Sequence, residues 1–300
     1  MKLRPVLRLT HEERVKLARP AVIALWIFGI TTVLVLTGLS YPVDRALVFG
    51  LRHKISWLDH FLLVVESPGQ RRFVYPFAII LSLISTYRRK DLLPSIATLA
   101  ALVFTNAVTG VLKLATLRGF PRKAGPEVFN TDYTDLNNLG AYPSGHAANI
   151  AAFSTLMVLV AMSARPEYRK YVPHVLWTTG IVSAITFVSS WLRDTHWVTD
   201  LIAGLSLGVA TTIFAVLWAL HLPNHWRHPE LAGRPRLIIV TVVTSSLAGI
   251  FMFGANSFLS HSWTSLALTI GTVAVIAWQS HQAARRAIAR NRAKDDSELS

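Results

Sequence analysis

Tyr142-Pro143-Ser144-Gly145-His146 closes a polar segment that begins near Lys113, and residues 147–163, which follow it, carry no charge. At 1.5 Å per helical residue that run comes close to one crossing of a hydrocarbon core of about 30 Å. A proline, a hydroxyl, a glycine and a histidine therefore sit together at a membrane–water boundary. Fifty residues after His146 the arrangement returns: His196 stands at the mouth of another apolar run, 197–220, and Asp200 follows one helical turn later. Two histidines at two helix mouths predict one polar site between membrane-spanning helices.

The composition agrees with that reading. Of 300 residues, 52 % are apolar and 15 % charged, whereas soluble chains carry roughly a quarter charged residues. Cysteine is absent, which excludes disulfides, thiolate metal sites and a thiol nucleophile. The formal net charge is +14, but the cations lie in short clusters between apolar runs and form no contiguous face for a phosphate backbone, so no nucleic-acid partner is expected.

Residues 1–20 hold six Lys or Arg and read as an amphipathic lead-in, with Thr10 as a helix cap. Apolar runs at 21–39, 73–87, 93–112, 147–163, 172–192 and 197–220 predict a six-span core over 21–220. Runs at 237–255 and 263–280 add two C-terminal transmembrane helices beyond a 221–236 loop, and 281–300 reads as a solvated tail. The fold class expected is thus an all-α integral membrane protein. Residues 40–71 mix Asp44, Arg45, Arg52, Lys54, Asp59 and Glu66 with apolar residues, a pattern that suits a helix lying along the interface. Of the 30 Lys and Arg, twenty fall in segments 1–20, 88–90, 164–171, 221–236 and 281–300. Since basic residues accumulate in cytoplasmic loops, both termini are expected in the cytoplasm and both histidine mouths on the outer face of a plasma membrane.

Three polar clusters share that face. The first contains Lys113, Arg118, Phe120, Pro121, Arg122 and Lys123; on its own it reads as snorkelling at the interface. The second is Pro143 to His146, where Ser144 and Gly145 open a helix; they serve as caps, or present N–H groups to an anion. The third runs from Arg193 to Asp200. The 3.6-residue period puts His196 and Asp200 on one face, so the carboxylate can hold the ring and direct its other nitrogen. Two histidines and an aspartate also suit zinc, but Lys113 and Arg193 nearby favour an oxyanion over a cation. Phe120, Trp191 and Trp197 read as members of an interfacial aromatic belt or of a lipid-chain groove, with the belt favoured for Trp197. The 124–141 segment reads as a solvated loop or a substrate-recognising lid.

Taken together these clusters resemble the tripartite signature of the type 2 phosphatidic acid phosphatases, membrane lipid phosphatases related to the vanadium haloperoxidases. Pro143-Ser144-Gly145-His146 is complete, and Ser189, His196 and Asp200 supply the third part. Phe120 and Ser190 stand where the family has arginines, which makes this an atypical member.

The resemblance implies a hydrolase acting on a lipid phosphate or diphosphate, polyprenyl or phosphatidate-like, through a phosphohistidine intermediate. His196 would be the nucleophile, His146 the acid and base, and Asp200 the ring holder. Lys113, Ser144 and Gly145 would bind phosphate, with Arg118, Arg122 and Arg193 as replacements for the missing arginines; no metal or cofactor is called for. Two other expectations remain open: a transferase on the same scaffold with a sugar or lipid acceptor, and a degenerate protein that binds membrane lipid. Oligomeric state is not legible.

Overall fold

The computed structural model describes residues 11–48, 55–70, 92–121, 140–162 and 170–222, with parts of 74–86. These residues lie in one compact unit, Met1–Pro223. The expected spans at 237–255 and 263–280, the tail, most of the 221–236 loop, Thr10, Arg122, Lys123 and most of the 124–141 loop lie outside the described residues.

The fold is all-α, as expected. Helices α1 (His11–Leu36), α2 (Tyr41–Ala46), α3 (Ser56–Glu66), α4 (Leu93–Thr116), α5 (Gly145–Met162), α6 (Val172–Leu192) and α7 (Val198–Leu220) follow one another in the chain. Five of them are long and apolar enough to cross a membrane: α1, counted from Arg14, and α4 to α7. Where 74–86 is described it is helical too. The lead-in and the first span prove to be one helix, which runs through Pro20. A proline removes one backbone donor there, a loss that membrane helices tolerate.

Helix α7 is the axis of the unit. Buried residues make up 61 % of its apolar window, against 17 % for α6, and α1, α4 and α5 all pack on it. With lipid tails as apolar as leucine, helices in a bilayer associate through close van der Waals contact and interhelical hydrogen bonds. Both occur here. A Cβ on Gly204 would overlap the Ser144 carbonyl oxygen, and one on Gly208 would overlap that of Ala148; Ala147, Ala151 and Ala152 complete the contact on α5. Away from the site, Leu93, Ala97, Ala101, Leu156, Ala215 and Ala219 form a buried cluster. Thr105 and Thr211 bridge α4 and α7 at 2.7 Å, and Ser154 and Ser183 bridge α5 and α6 at 3.1 Å. Ile23, Trp26 and Ile30 on α1, and Trp177 and Ile181 on α6, face outward.

The α5–α7 contact sets the distance between the two histidine mouths. Its glycines have no room for a methyl group, while Gly110 and Gly180 have nothing near them. Gly204→Ala and Gly208→Ala should each destabilise the protein by about 1–3 kcal/mol through overpacking. Gly110→Ala and Gly180→Ala should be neutral or stabilise by up to about 1 kcal/mol through helix propensity. Thermal unfolding in detergent micelles separates the two pairs.

Candidate active site

The start of α7 is built by Asp200. Trp197 is extended at ψ 154°, and its N–H donates to Asp200 Oδ2 at 3.0 Å. The carboxylate thus caps the helix that carries it, at the end where the dipole favours negative charge. The start of α5 is built by Ser144, whose Oγ accepts from Ala147 N–H at 3.4 Å and whose own N–H donates to the Asp200 carbonyl at 2.9 Å. Tyr142 and Pro143 are joined by a cis peptide bond. The Tyr142 hydroxyl meets Thr32 on α1 at 2.6 Å, and burial pushes its phenol up to about 12. A third cluster joins these two. After α4, Leu117 turns left-handed at φ 45°, and the Arg118 carbonyl accepts from the N–H groups of Gly140 and Ala141 at 3.0 and 2.9 Å. That pins the two ends of the intervening loop together. The Lys113 ammonium donates to the Gly140 carbonyl.

His196 and His146 face each other, their ring centroids 6.2 Å apart. His196 is buried; its Nδ1 lies 2.9 Å from the Ala141 carbonyl oxygen and 3.6 Å from Asp200 Oδ2. A carbonyl only accepts, so this geometry puts the ring proton on Nδ1 and the lone pair on Nε2. Asp200, expected to take the ring proton itself, instead contributes its charge from slightly further away. Phe120 packs edge-on to the His196 ring at 5.6 Å between centroids, with the Lys113 ammonium 6.0 Å above it. The position where the resemblance calls for arginine therefore lines the site with an aromatic ring.

The arginines stand differently from the sequence expectation. Arg118, 1 % exposed, gives Nη1 to Asp200 Oδ1 at 2.5 Å and Nη2 to Asp44 Oδ2 at 2.6 Å, and its guanidinium lies 5.3 Å from the Trp197 ring centroid. Arg193 gives Nε to Asp59 Oδ1 at 2.9 Å and Nη1 to Glu66 Oε2. Each guanidinium, expected as a phosphate ligand, is held between two carboxylates, and Arg118 Nε is buried without a hydrogen-bond partner. Trp197 is corrected as well: it is buried, its Nε1 donates to the Gly119 carbonyl at 2.8 Å, and it belongs to no lipid-facing belt. Ser189 is turned back onto the Ile185 carbonyl of its own helix.

Sequence reasoning missed Asp44, Asp59, Glu66 and Thr199. Asp44 receives Arg118, the Thr199 hydroxyl at 2.6 Å and the Thr199 N–H at 3.1 Å. Glu66 receives Arg193, the Ser190 hydroxyl at 2.8 Å and the Thr195 hydroxyl at 3.5 Å, and its Oε1 is 3.9 Å from His146 Nε2. Burial works to raise the Glu66 pKa, but His146, the Ser190 hydroxyl, Arg193 and His196 together hold it below the usual carboxylate value. The three acids were read as charges of an interfacial segment; their only sequence signal was carboxylates spaced among apolar residues.

Residues 94–223 match the PAP2 superfamily. The crystal structure titled the first transmembrane PAP2-type phosphatidylglycerolphosphate phosphatase from Bacillus subtilis shares the fold, with a TM-score of 0.55 at 21 % identity, over 68 % of this chain and 97 % of that one. No curated protein matches the sequence.

Removing one partner from a buried ion pair leaves an uncompensated charge, at a cost of about 3–5 kcal/mol. Asp44→Ala should destabilise the helical unit by that order, and Arg118→Lys should not be tolerated, since an ammonium lacks the planar fork that binds two carboxylates at once. Arg45→Ala, which removes an exposed partner of Tyr41, should change little. Chemical denaturation followed by tryptophan fluorescence checks all three.

Proposed function

We propose that the protein is a membrane phosphatase that hydrolyses a lipid phosphate or diphosphate. The observation that carries this reading is the facing pair of histidines, 6.2 Å between ring centroids, with His196 oriented through Nδ1 by the Ala141 carbonyl. In this reading the phosphoryl group is taken up between them, with a nucleophile on one side and a proton donor on the other.

In the first step His196 Nε2 forms a bond to phosphorus and the bond to the lipid oxygen breaks, while His146 gives its proton to that oxygen. In the second, water attacks phosphorus, His146 takes its proton, and the N–P bond breaks to release phosphate. Asp200 opposes the positive charge that builds on the His196 ring. Lys113, together with the first N–H groups of α5 at Gly145, which have no intrahelical partner, is suited to the phosphate oxygens. Ser144 holds the helix end that presents those groups. The distribution of Lys and Arg supports an active site on the extracytoplasmic face of a plasma membrane, with both termini in the cytoplasm.

Purified protein incubated with lipid phosphates and diphosphates should release inorganic phosphate, and His196→Ala should abolish that release. Release that survives His196→Ala would exclude the histidine as nucleophile, and lipid product that forms only with an added sugar or lipid alcohol would assign a transferase. Phe120→Arg should fold and lower KM several-fold for a dianionic phosphate, because a guanidinium there can reach the gap beside His196 without a carboxylate already bound to it. A raised KM with intact folding would mean that the ring itself is needed.

A further inference from the structure

The two histidines are supported in parallel ways. Behind His196 stand Asp200, Arg118 and Asp44; behind His146 stand Glu66, Arg193 and Asp59. In each row an arginine is held between two carboxylates, so each row carries a formal charge of −1 and presents it to an imidazole. We propose that Glu66 is a positioning residue for His146: fixed by Arg193 and Ser190, it favours the imidazolium that delivers the proton to the leaving oxygen. The inference deepens the phosphatase reading and rests on it.

The geometry supports an electrostatic role. Glu66 is 2 % exposed and is fixed from two directions, by Arg193 and by Ser190 at 2.8 Å, with the Thr195 hydroxyl 3.5 Å away. Its Oε1 is 3.9 Å from His146 Nε2, which is beyond a hydrogen bond but close enough for the charges to interact strongly in a buried setting. Behind His146 the next turn of chain is equally constrained: a Cβ on Gly69, three residues after Glu66, would stand 3.1 Å from the His146 carbonyl oxygen and 3.2 Å from its Cβ. Among the described residues, the charged or titratable groups facing this pair are Glu66 and, through Arg193, Asp59 from α3, and Arg193 and His196 from the chain between α6 and α7. Ser190 gains a purpose in this arrangement. An arginine in its place would put a second cation on Glu66 and weaken the carboxylate's hold on His146.

The test is a pH profile, because a merely structural role would lower the rate equally at all pH values. In Glu66→Gln, the limb of the kcat–pH profile that reports the acid should move to lower pH by about one unit. The variant should lose on the order of tenfold in kcat at pH 7 and recover much of it near pH 5.5, with KM changed far less. Glu66→Asp should lie between. An unmoved profile in Glu66→Gln would overturn the proposal. Should Glu66→Gln fail to fold, Ser190→Ala, which removes one of the hydrogen bonds holding the carboxylate, should show a smaller displacement in the same direction; no displacement there overturns it equally. The titration of His146, followed by NMR of ring-labelled protein and assigned through His146→Asn, reads the same coupling without turnover. A titration that moves down in Glu66→Gln, in a protein that releases phosphate from no lipid phosphate, would keep the coupling and overturn the phosphatase reading. A titration that does not move would overturn the coupling alone.

Discussion

A charge carried into the interior of a membrane protein must be neutralised within a few ångströms, and this requirement organises the end of the helix bundle that holds the two histidines. Arg118 is buried at the junction of three chain segments and is the group through which they meet. It draws Asp44 from α2 and Asp200 from the start of α7, and its carbonyl receives the segment that leads into Tyr142. Dehydrating one guanidinium and two carboxylates costs several kcal/mol per ion. That cost is offset only because the partners are aligned, because Thr199 fills the remaining acceptor positions on Asp44, and because the Trp197 ring covers the guanidinium. The same logic repeats with Arg193, Asp59 and Glu66 on the other side of the site.

Close packing below the site makes this arrangement rigid. Gly204 and Gly208 let α7 approach the α5 backbone so closely that Ser144, the residue before the helix, bonds to the Asp200 carbonyl. The N-terminus of one helix is thus fixed against the N-terminus of the other, and the two histidines inherit a defined separation. Two positive helix ends converging on one gap also create a region of favourable potential for an anion.

How much of this the sequence discloses depends on the distance between partners. His196 and Asp200 are four residues apart, so helical period alone puts them together. Pro143 to His146 is contiguous and marks a helix start by its own chemistry. The spans of α4 to α7 follow from apolar runs. Asp44 meets Arg118 across 74 residues and Glu66 meets Arg193 across 127; no local periodicity encodes such pairs. Glu66 sits in a helix whose outer face shows Trp57, Phe61 and Val64, so the segment looks interfacial until its few acids are seen to point inward. The ion pairs of Arg118 and Arg193 are hidden for a related reason. A basic residue near an oxyanion site reads as a ligand when its own carboxylates lie far away in the chain.

The replacement of two motif arginines then has a physical meaning that motif comparison does not supply. At position 190 the hydroxyl is a donor to Glu66, and at position 120 the ring shields His196 and supports the Lys113 ammonium. The first change leaves Glu66 with one cation fewer and the second removes positive charge beside His196, while the rows ending in Asp44 and Asp59 keep negative charge behind the histidines. Under the proposed reaction that balance serves the imidazolium and the phosphohistidine, which are cationic at the ring, more than it serves the tightly bound phosphate. In that proposed reaction the histidines are held by charge pairs and the phosphate by one lysine and a helix end, an allocation that favours turnover over retention of the phosphate product.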